Sequence, residues 1–360
     1  MKTEALTTLF ESAGCTGIEP SVLQPADPFL NAAGEAFRKS LFVTQGAKGE
    51  TLCLRPEFTI PVCLEHKGEA ARYHYSGSVF RQATEGRDDK PQEFEQAGVE
   101  ALGEADFAKA DADMVRLALD AVRALGASGG GDIKPVVQMG DPAFFNALVT
   151  PVGLPEIWRE RLTRAFGDAD LVEAMLKRMV SAPVVASNDF KTDDSAALTE
   201  EVSAMMQAHG MMGAGGRTAD EIAQRFLKKR NEQVSVSTTV TEICRHFLAL
   251  ECASEKVGDT MTRFGEENGI DFAGAIAGYD ARAKGLQGLD AEITFSASFG
   301  RRLDYYTGFV FEIYDANNRA KGPLAGGGRY DGLTEMLGDK AMPAVGFSLW
   351  LERCREGGAS

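Results

Sequence analysis

Hydrophobic spacing changes character twice along the chain and divides it into three blocks. In residues 1–150 a first helix leads to an extended stretch at Ile18–Leu23 and a loop punctuated by Pro25 and Pro28. The apolar run Leu52–Leu54 stops at Arg55-Pro56, where the proline pushes Arg55 out of helical geometry. Tyr73, Tyr75, Ser78 and Phe80 give Ala71–Arg81 the composition of a strand, and Phe94–Leu102 predicts a second that pairs with it across an extended polar loop. Phe107, Met114, Leu117, Ala118, Ala121, Val122 and Leu125 recur at helical spacing, so Ala105–Leu125 predicts a helix with Gly126 as its stop, before a strand at Ile133–Met139.

From about residue 151 to 287 the pattern is mostly helical. Thr218 and Glu221 have the spacing of a capping box opening a helix over Asp220–Lys229. The Gly213–Gly216 run before it lacks the Gly-Lys-Ser/Thr ending of a phosphate loop and reads as a flexible connection. Strand periodicity returns over residues 288–360. Ile293, Phe295, Ala297 and Phe299 alternate with polar residues, and Phe309, Phe311 and Ile313 alternate with Val310, Glu312 and Tyr314. Strands in two blocks on either side of a helical stretch predict an α+β core with a mostly helical insertion.

Composition narrows the partners. A formal charge of −15 argues against a chain whose main work is gripping nucleic acid, because phosphate neutralisation needs clustered Lys and Arg. No segment reaches the roughly 18 consecutive apolar residues of a membrane span, and Met1-Lys2-Thr3-Glu4 does not open a basic-then-apolar signal, so a cytoplasmic location is expected. The six cysteines are scattered and predict reduced thiols. Cys244, His246 and Cys252 fit no standard zinc spacing, so no metal is expected.

The candidate chemistry lies in short polar segments. Glu57 and Thr59 stand two apart, hence on one side if the backbone is extended, where a carboxylate and a hydroxyl can accept hydrogen bonds from an ammonium group. A salt-bridged surface strand would produce the same letters. Gln96 and Glu100 share a face at even spacing, and Arg81 on the facing strand can meet an anion. Gly300-Arg301-Arg302-Leu303-Asp304-Tyr305-Tyr306 and Gly326-Gly327-Gly328-Arg329-Tyr330-Asp331 place arginines beside tyrosines, a chemistry suited to a small zwitterion with an aromatic hydrogen-bonding side chain. Glycine runs such as Gly326–Gly328 permit close backbone approach to a ligand and also mark ordinary turns.

Taken in order, these segments resemble the catalytic core of class II aminoacyl-tRNA synthetases, in the histidyl branch, over nearly the whole chain. Gly17–Leu30 is similar to motif 1, the dimerisation element, Arg72–Glu100 to motif 2, and Ala344–Arg353 to motif 3. Leu303–Tyr306 and Gly327–Leu333 resemble the two histidine signatures. The resemblance implies an antiparallel sheet flanked by helices. It implies that Glu57, Thr59 and Gln96 hold a histidine ammonium, that Glu100 and Tyr306, beside Tyr305, bond the imidazole nitrogens, and that Arg301 faces the carboxylate.

The nucleotide half departs from the family pattern. Arg81 and Arg353 match the phosphate-gripping arginines, with Arg87 in the loop between the motif 2 strands. Ala83 stands where a carboxylate is expected, Gln92 where a further arginine is expected, and Arg302 replaces a glycine. Each lost charge-assisted contact is worth about 1.5–3 kcal/mol when desolvated. The chain also ends soon after motif 3, so no anticodon-binding domain is expected. The pattern is similar to that of the ATP phosphoribosyltransferase regulatory subunits, which are non-catalytic, need no cofactor, bind L-histidine and partner the short-form catalytic subunit as a self-dimer within a hetero-oligomer, a hetero-octamer. A truncated histidyl-tRNA synthetase and a histidyl-adenylate-forming ligase remain the alternatives.

Overall fold

The two ten-residue strands β5 (Ala71–Phe80) and β6 (Glu93–Leu102) pair antiparallel over their whole length and start the main sheet. The computed structural model describes residues 2–32, 37–83, 91–129, 133–181, 194–208, 218–231, 236–300 and 305–355. The sheet has nine strands in the order β1-β5-β6-β12-β11-β10-β7-β9-β8, where β1 is Thr16–Gly17, β7 Pro135–Gly140, β8 Glu251–Ala253, β9 Glu292–Ser296, β10 Val310–Asp315, β11 Ala325–Arg329 and β12 Ala344–Trp350. Neighbours are antiparallel except β1 with β5 and β7 with β9. A parallel pair needs a long crossover. Between β7 and β9 the chain makes its helical excursion, which is why the strand signals fall into two blocks.

One face of the sheet is apolar. Val99, Phe347, Leu349, Phe311, Ile313, Val137 and Met139 are buried on it, and the 23-residue helix Phe107–Gly129 lies against β6, β10, β11 and β12. That helix runs past Gly126, the predicted stop. Gly126 is buried, and a Cβ there would meet Ile133 Cδ1 at 2.6 Å, so this glycine serves close packing instead of termination. The predicted alternation holds over Phe311–Tyr314, where Phe311 and Ile313 are fully buried and Glu312 and Tyr314 only partly so, and fails at Val310, which is buried as well.

A second, three-stranded sheet orders β2 (Leu23–Pro25), β4 (Thr51–Leu54) and β3 (Val43–Gln45) as β2-β4-β3. Arg55 joins it to the main sheet. Its N–H donates to Val22 O and its carbonyl accepts from Phe80 N, while the guanidinium donates to Pro20 O and Ser78 O and stacks 4.1 Å over Phe58.

The chain divides into two compact units, Met1–Ala147 with Leu248–Ser360, and Leu148–Phe247. The helical insertion was expected to extend to residue 287. It closes at Phe247, because β8 pairs with β9 and brings the helices Val257–Asn268 and Ala273–Gly285 into the unit of the main sheet. Within the second unit, helices Ser195–Ala208 and Ala219–Asn231 pack through Leu198, Val202 and Ala223. The second of these is opened by the predicted capping box: Thr218 N donates to Glu221 Oε2 at 2.7 Å and Glu221 N to Thr218 Oγ1 at 3.2 Å. Among the described residues no helix is long and apolar enough to cross a membrane, and no three His, Cys, Asp or Glu side chains gather as a metal set.

Candidate functional site

Residues paired in register across a sheet point to the same face, so the register identifies what lies on the side opposite the apolar core. One row across the strands reads Tyr75, Gly98, Ser348, Gly326, Glu312 and Gln138. The next reads Tyr73, Glu100, Gly346, Gly328, Val310 and Gly140. Glycines occupy much of this face, and at two of them the missing side chain makes room for a neighbour. A Cβ on Gly98 would collide with the Tyr75 hydroxyl, and one on Gly346 with the Glu100 carboxyl group. Gly326–Gly328 therefore belongs to a strand near the middle of the sheet, not to a turn.

Glu100 is at the centre of the arrangement and 1 % exposed. Its Oε1 accepts from the Thr59 hydroxyl at 2.7 Å and the Tyr75 hydroxyl at 3.2 Å, and its Oε2 accepts from the Tyr330 hydroxyl. Burial pushes its carboxyl up to about 8, with the hydroxyl donors pulling the other way and the nearby Glu57 adding to the rise. A carboxyl held in this way gives a proton to, or takes one from, a group that titrates near neutrality, and imidazole is such a group.

Glu57 and Thr59 arrive by a different geometry from the one predicted. Pro56 ends the extended segment, and Thr59 begins a helix, Thr59–Glu65, instead of continuing a strand. The Glu57 carboxylate accepts from Thr59 N at 2.7 Å and Ile60 N at 2.9 Å, satisfying N–H groups of the first turn that have no partner within the helix. Pro61, next in line, has no N–H to satisfy. Desolvation raises the Glu57 carboxyl, opposed by those two backbone donors.

Gln96 lies on the same face as Glu100, as its even spacing predicted. Its Oε1 is buried and has no hydrogen-bond partner among the described residues. Tyr305 and Tyr306 join Tyr330 in one aromatic cluster, with ring centroids 5.0 Å apart for Tyr305–Tyr306, 5.9 Å for Tyr305–Tyr330 and 6.4 Å for Tyr306–Tyr330. The structure thus gathers Thr59, Glu100 and the tyrosines, with Glu57 beside them. Arg301, expected opposite a carboxylate, lies outside the described residues, as do Arg302 and Arg87.

The other two arginines of the nucleotide half bond to the chain itself. Arg81 Nε donates to Pro56 O at 2.9 Å, and its guanidinium lies 5.3 Å from the ring centres of Phe37 and of Phe94. Arg353 Nη1 donates to Pro323 O at 2.8 Å over the Trp350 ring, and desolvation lowers its pKa.

Sequence reasoning missed Tyr75 and Tyr330 as partners of Glu100. A signal for Tyr75 exists: it stands opposite Gly98 in the β5–β6 pair, so a bulky side chain meets a glycine on the face opposite the apolar core. Tyr330 sits in the Gly-rich segment already singled out, but its hydroxyl meets Glu100 only because β11 and β6 lie in one sheet with Tyr330 facing the Glu100 side.

The fold is that of the histidyl-tRNA synthetase class. The family model described as "Histidyl-tRNA synthetase" matches residues 2–238 and 217–354. Two solved structures share the fold. One, titled an ATP phosphoribosyltransferase regulatory subunit/histidyl-tRNA synthetase from Bacillus halodurans C, has a TM-score of 0.66 and 22% identity, covering 100% of this chain and 78% of the other. The histidyl-tRNA synthetase from Nostoc sp. PCC 7120 has a TM-score of 0.63 and 16% identity, covering 98% and 69%. Curated relatives are more specific. A protein of Mesorhizobium japonicum is 41% identical over 366 residues, covering 97% of this chain and 95% of the relative, and one of Brucella ovis is 40% identical over 351 residues, covering 93% and 91%; both are named ATP phosphoribosyltransferase regulatory subunit. The chain belongs to the family of ATP phosphoribosyltransferase regulatory subunits, whose name is that of a regulatory and not a catalytic polypeptide.

Proposed function

We propose that this chain is the non-catalytic subunit that a short-form ATP phosphoribosyltransferase catalytic subunit needs for activity, and that it carries the L-histidine site for feedback inhibition of the first step of histidine biosynthesis. The observation that carries the reading is the pair Gln96 and Glu100 on one face of β6, the first with an unpartnered buried oxygen and the second a buried carboxyl among hydroxyls. Their Cα atoms stand about 13 Å apart along the strand. Two side chains of this length with a small amino acid between them fill such a span, the ammonium towards Gln96 and the imidazole at the Glu100 end with Tyr306; Thr59, expected on the ammonium, bonds Glu100 instead, with Glu57 close by. Arg301 would then take the carboxylate.

The alternatives, a truncated histidyl-tRNA synthetase or a ligase forming histidyl adenylate, need ATP contacts. Against them stand Arg81 and Arg353, each donating to a backbone carbonyl of its own chain, and Ala83 in place of a carboxylate. Val22, Leu23 and Val43 of the small sheet or its flank are 42%, 47% and 52% exposed, which favours a second copy of the chain covering them; the hetero-octamer is the assembly proposed with the catalytic subunit.

Phosphoribosyl-ATP formation from ATP and phosphoribosyl pyrophosphate by a short-form catalytic subunit tests the proposal, measured with and without this protein and then with L-histidine added. The expected result is activation that histidine suppresses. No activation of a competent, matched partner overturns it.

A further inference from the structure

Behind the sheet runs a chain of alternating charges, buried except at its Asp331 end. Asp111, on the long helix Phe107–Gly129, is 0 % exposed and takes one arginine on each oxygen. Its Oδ1 accepts from Arg329 Nε at 2.9 Å and Nη2 at 2.6 Å, and its Oδ2 accepts from Arg282 Nε at 2.8 Å. Arg282, on the helix Ala273–Gly285, reaches on to Asp141 at 2.9 Å, and Arg329, the last residue of β11, reaches on to Asp331 at 2.8 Å. Phe309 lies against the Arg282 guanidinium and Phe107 against that of Arg329, at 4.6 Å in each case.

Tyr330 stands between the two residues that this chain clamps. Arg329 faces the helix side of the sheet, so alternation aims Tyr330 at the opposite face, where its hydroxyl meets Glu100. Asp331 accepts from Ala344 N at 2.8 Å, and Tyr330 N donates to Ala344 O at 2.8 Å. Thr307, directly after Tyr306, is sewn to the same turn: its N–H donates to Arg329 O at 2.9 Å and its hydroxyl accepts from Asp331 N at 3.0 Å. Both tyrosine-bearing segments of the pocket therefore hang on Arg329 and Asp331.

The geometry assigns Asp111 a positioning role: through Arg329 it fixes the end of β11 so that the Tyr330 hydroxyl is delivered to Glu100, and through Arg282 it ties the helix Ala273–Gly285 to the same pocket. Asp111 lies on the helix side of the sheet, away from the face that carries Glu100. The assignment rests on the reading of the pocket as a histidine site. An Asp111→Asn side chain has one acceptor oxygen and presents an amide N–H₂ to the second guanidinium, donor against donor, so it cannot hold both arginines. Arg329→Lys keeps the charge and loses the fork.

The test is a double-mutant cycle on the full chain, read by calorimetric titration with L-histidine and, in parallel, by thermal unfolding. Asp111→Asn is expected to weaken histidine binding about tenfold in the wild-type background and less than about twofold beside Tyr330→Phe, because the contact it positions is already gone. Arg329→Lys takes its place if Asp111→Asn does not fold. A merely structural role lowers the unfolding temperature in both backgrounds and changes affinity equally in both, or not at all; that result overturns the assignment. Wild-type protein that gives no histidine signal, alone and with the catalytic subunit, removes the histidine reading itself and this inference with it, an outcome distinct from normal wild-type binding with additive variants.

Discussion

Glu100 lies across Gly346. The two are register partners on β6 and β12, and a Cβ on Gly346 would collide with the Glu100 carboxyl group. The carboxyl keeps its three hydroxyl partners only because the neighbouring strand carries no side chain there.

Gly346→Ala is therefore expected to push Glu100 off Thr59, Tyr75 and Tyr330. Overpacking of this kind costs about 1–3 kcal/mol. Urea unfolding should show that loss, and L-histidine affinity should fall with it. A variant that binds histidine as the wild type does would show that the placement of Glu100 is not needed.

Burial raises the Glu100 carboxyl from 4.5 to about 8. Between those values the folded state holds a proton that the unfolded chain has released, so stability from this group is present at low pH and lost as pH rises towards about 8. Compared with Glu100→Gln, which does not titrate, wild-type protein should lose on the order of a few kcal/mol between pH 5 and pH 8.5 in urea unfolding. Parallel pH profiles for the two proteins would contradict a buried, protonated Glu100.

Much of this was legible in the letters because it is local or periodic. The alternation at Phe311 and Ile313, the even spacing of Gln96 and Glu100, and the reciprocal cap of Thr218 and Glu221 each follow from the geometry of one element. What was not legible depends on distant segments meeting. Gly126 has the sequence context of a helix stop, but its role is set by Ile133 packing onto it. Glu57 and Thr59 read as an extended pair, but the N–H groups of Thr59 and Ile60 turn the Glu57 carboxylate into a cap. The Asp111–Arg329–Arg282 chain joins residues as far apart as positions 111 and 329, and no spacing along the sequence announces it.

Glu57→Ala removes a buried acceptor from two backbone N–H groups. Leaving such groups unpaired costs about 1–3 kcal/mol, so the variant should unfold at lower urea and exchange the Thr59 and Ile60 amide protons faster. Unchanged exchange at both amides would mean that the cap does not hold the helix.

Among the cysteines, Cys15, Cys53, Cys63, Cys244 and Cys354 are buried and Cys252 is partly exposed. Desolvation lifts the thiols of Cys15, Cys53 and Cys244 to about 11 and that of Cys63 well above its usual value. Thiolate is the reactive form. Native protein at pH 8 should therefore react slowly with a disulfide reagent and at no more than one site, Cys252, with all six thiols reacting after denaturation. Fast labelling of a second thiol in native protein would show that the core around it opens.

Regulation gives the last prediction. If histidine inhibits by binding differently to the active and inhibited states of the assembly, variants that weaken its imidazole contacts should raise the concentration needed for inhibition without changing activation. Glu100→Ala removes the acceptor at the centre of the site, and Tyr306→Phe removes one hydroxyl from the aromatic cluster beside Tyr330. A lost hydrogen bond to a charged group is worth about 1.5–3 kcal/mol, which corresponds to an inhibition curve shifted by roughly tenfold or more. Size-exclusion profiles of each variant with the catalytic subunit should match the wild type, since Glu100 is buried and Tyr306 is half-buried against the aromatic cluster. Inhibition that survives both changes at wild-type histidine concentrations would place the regulatory site elsewhere in the assembly.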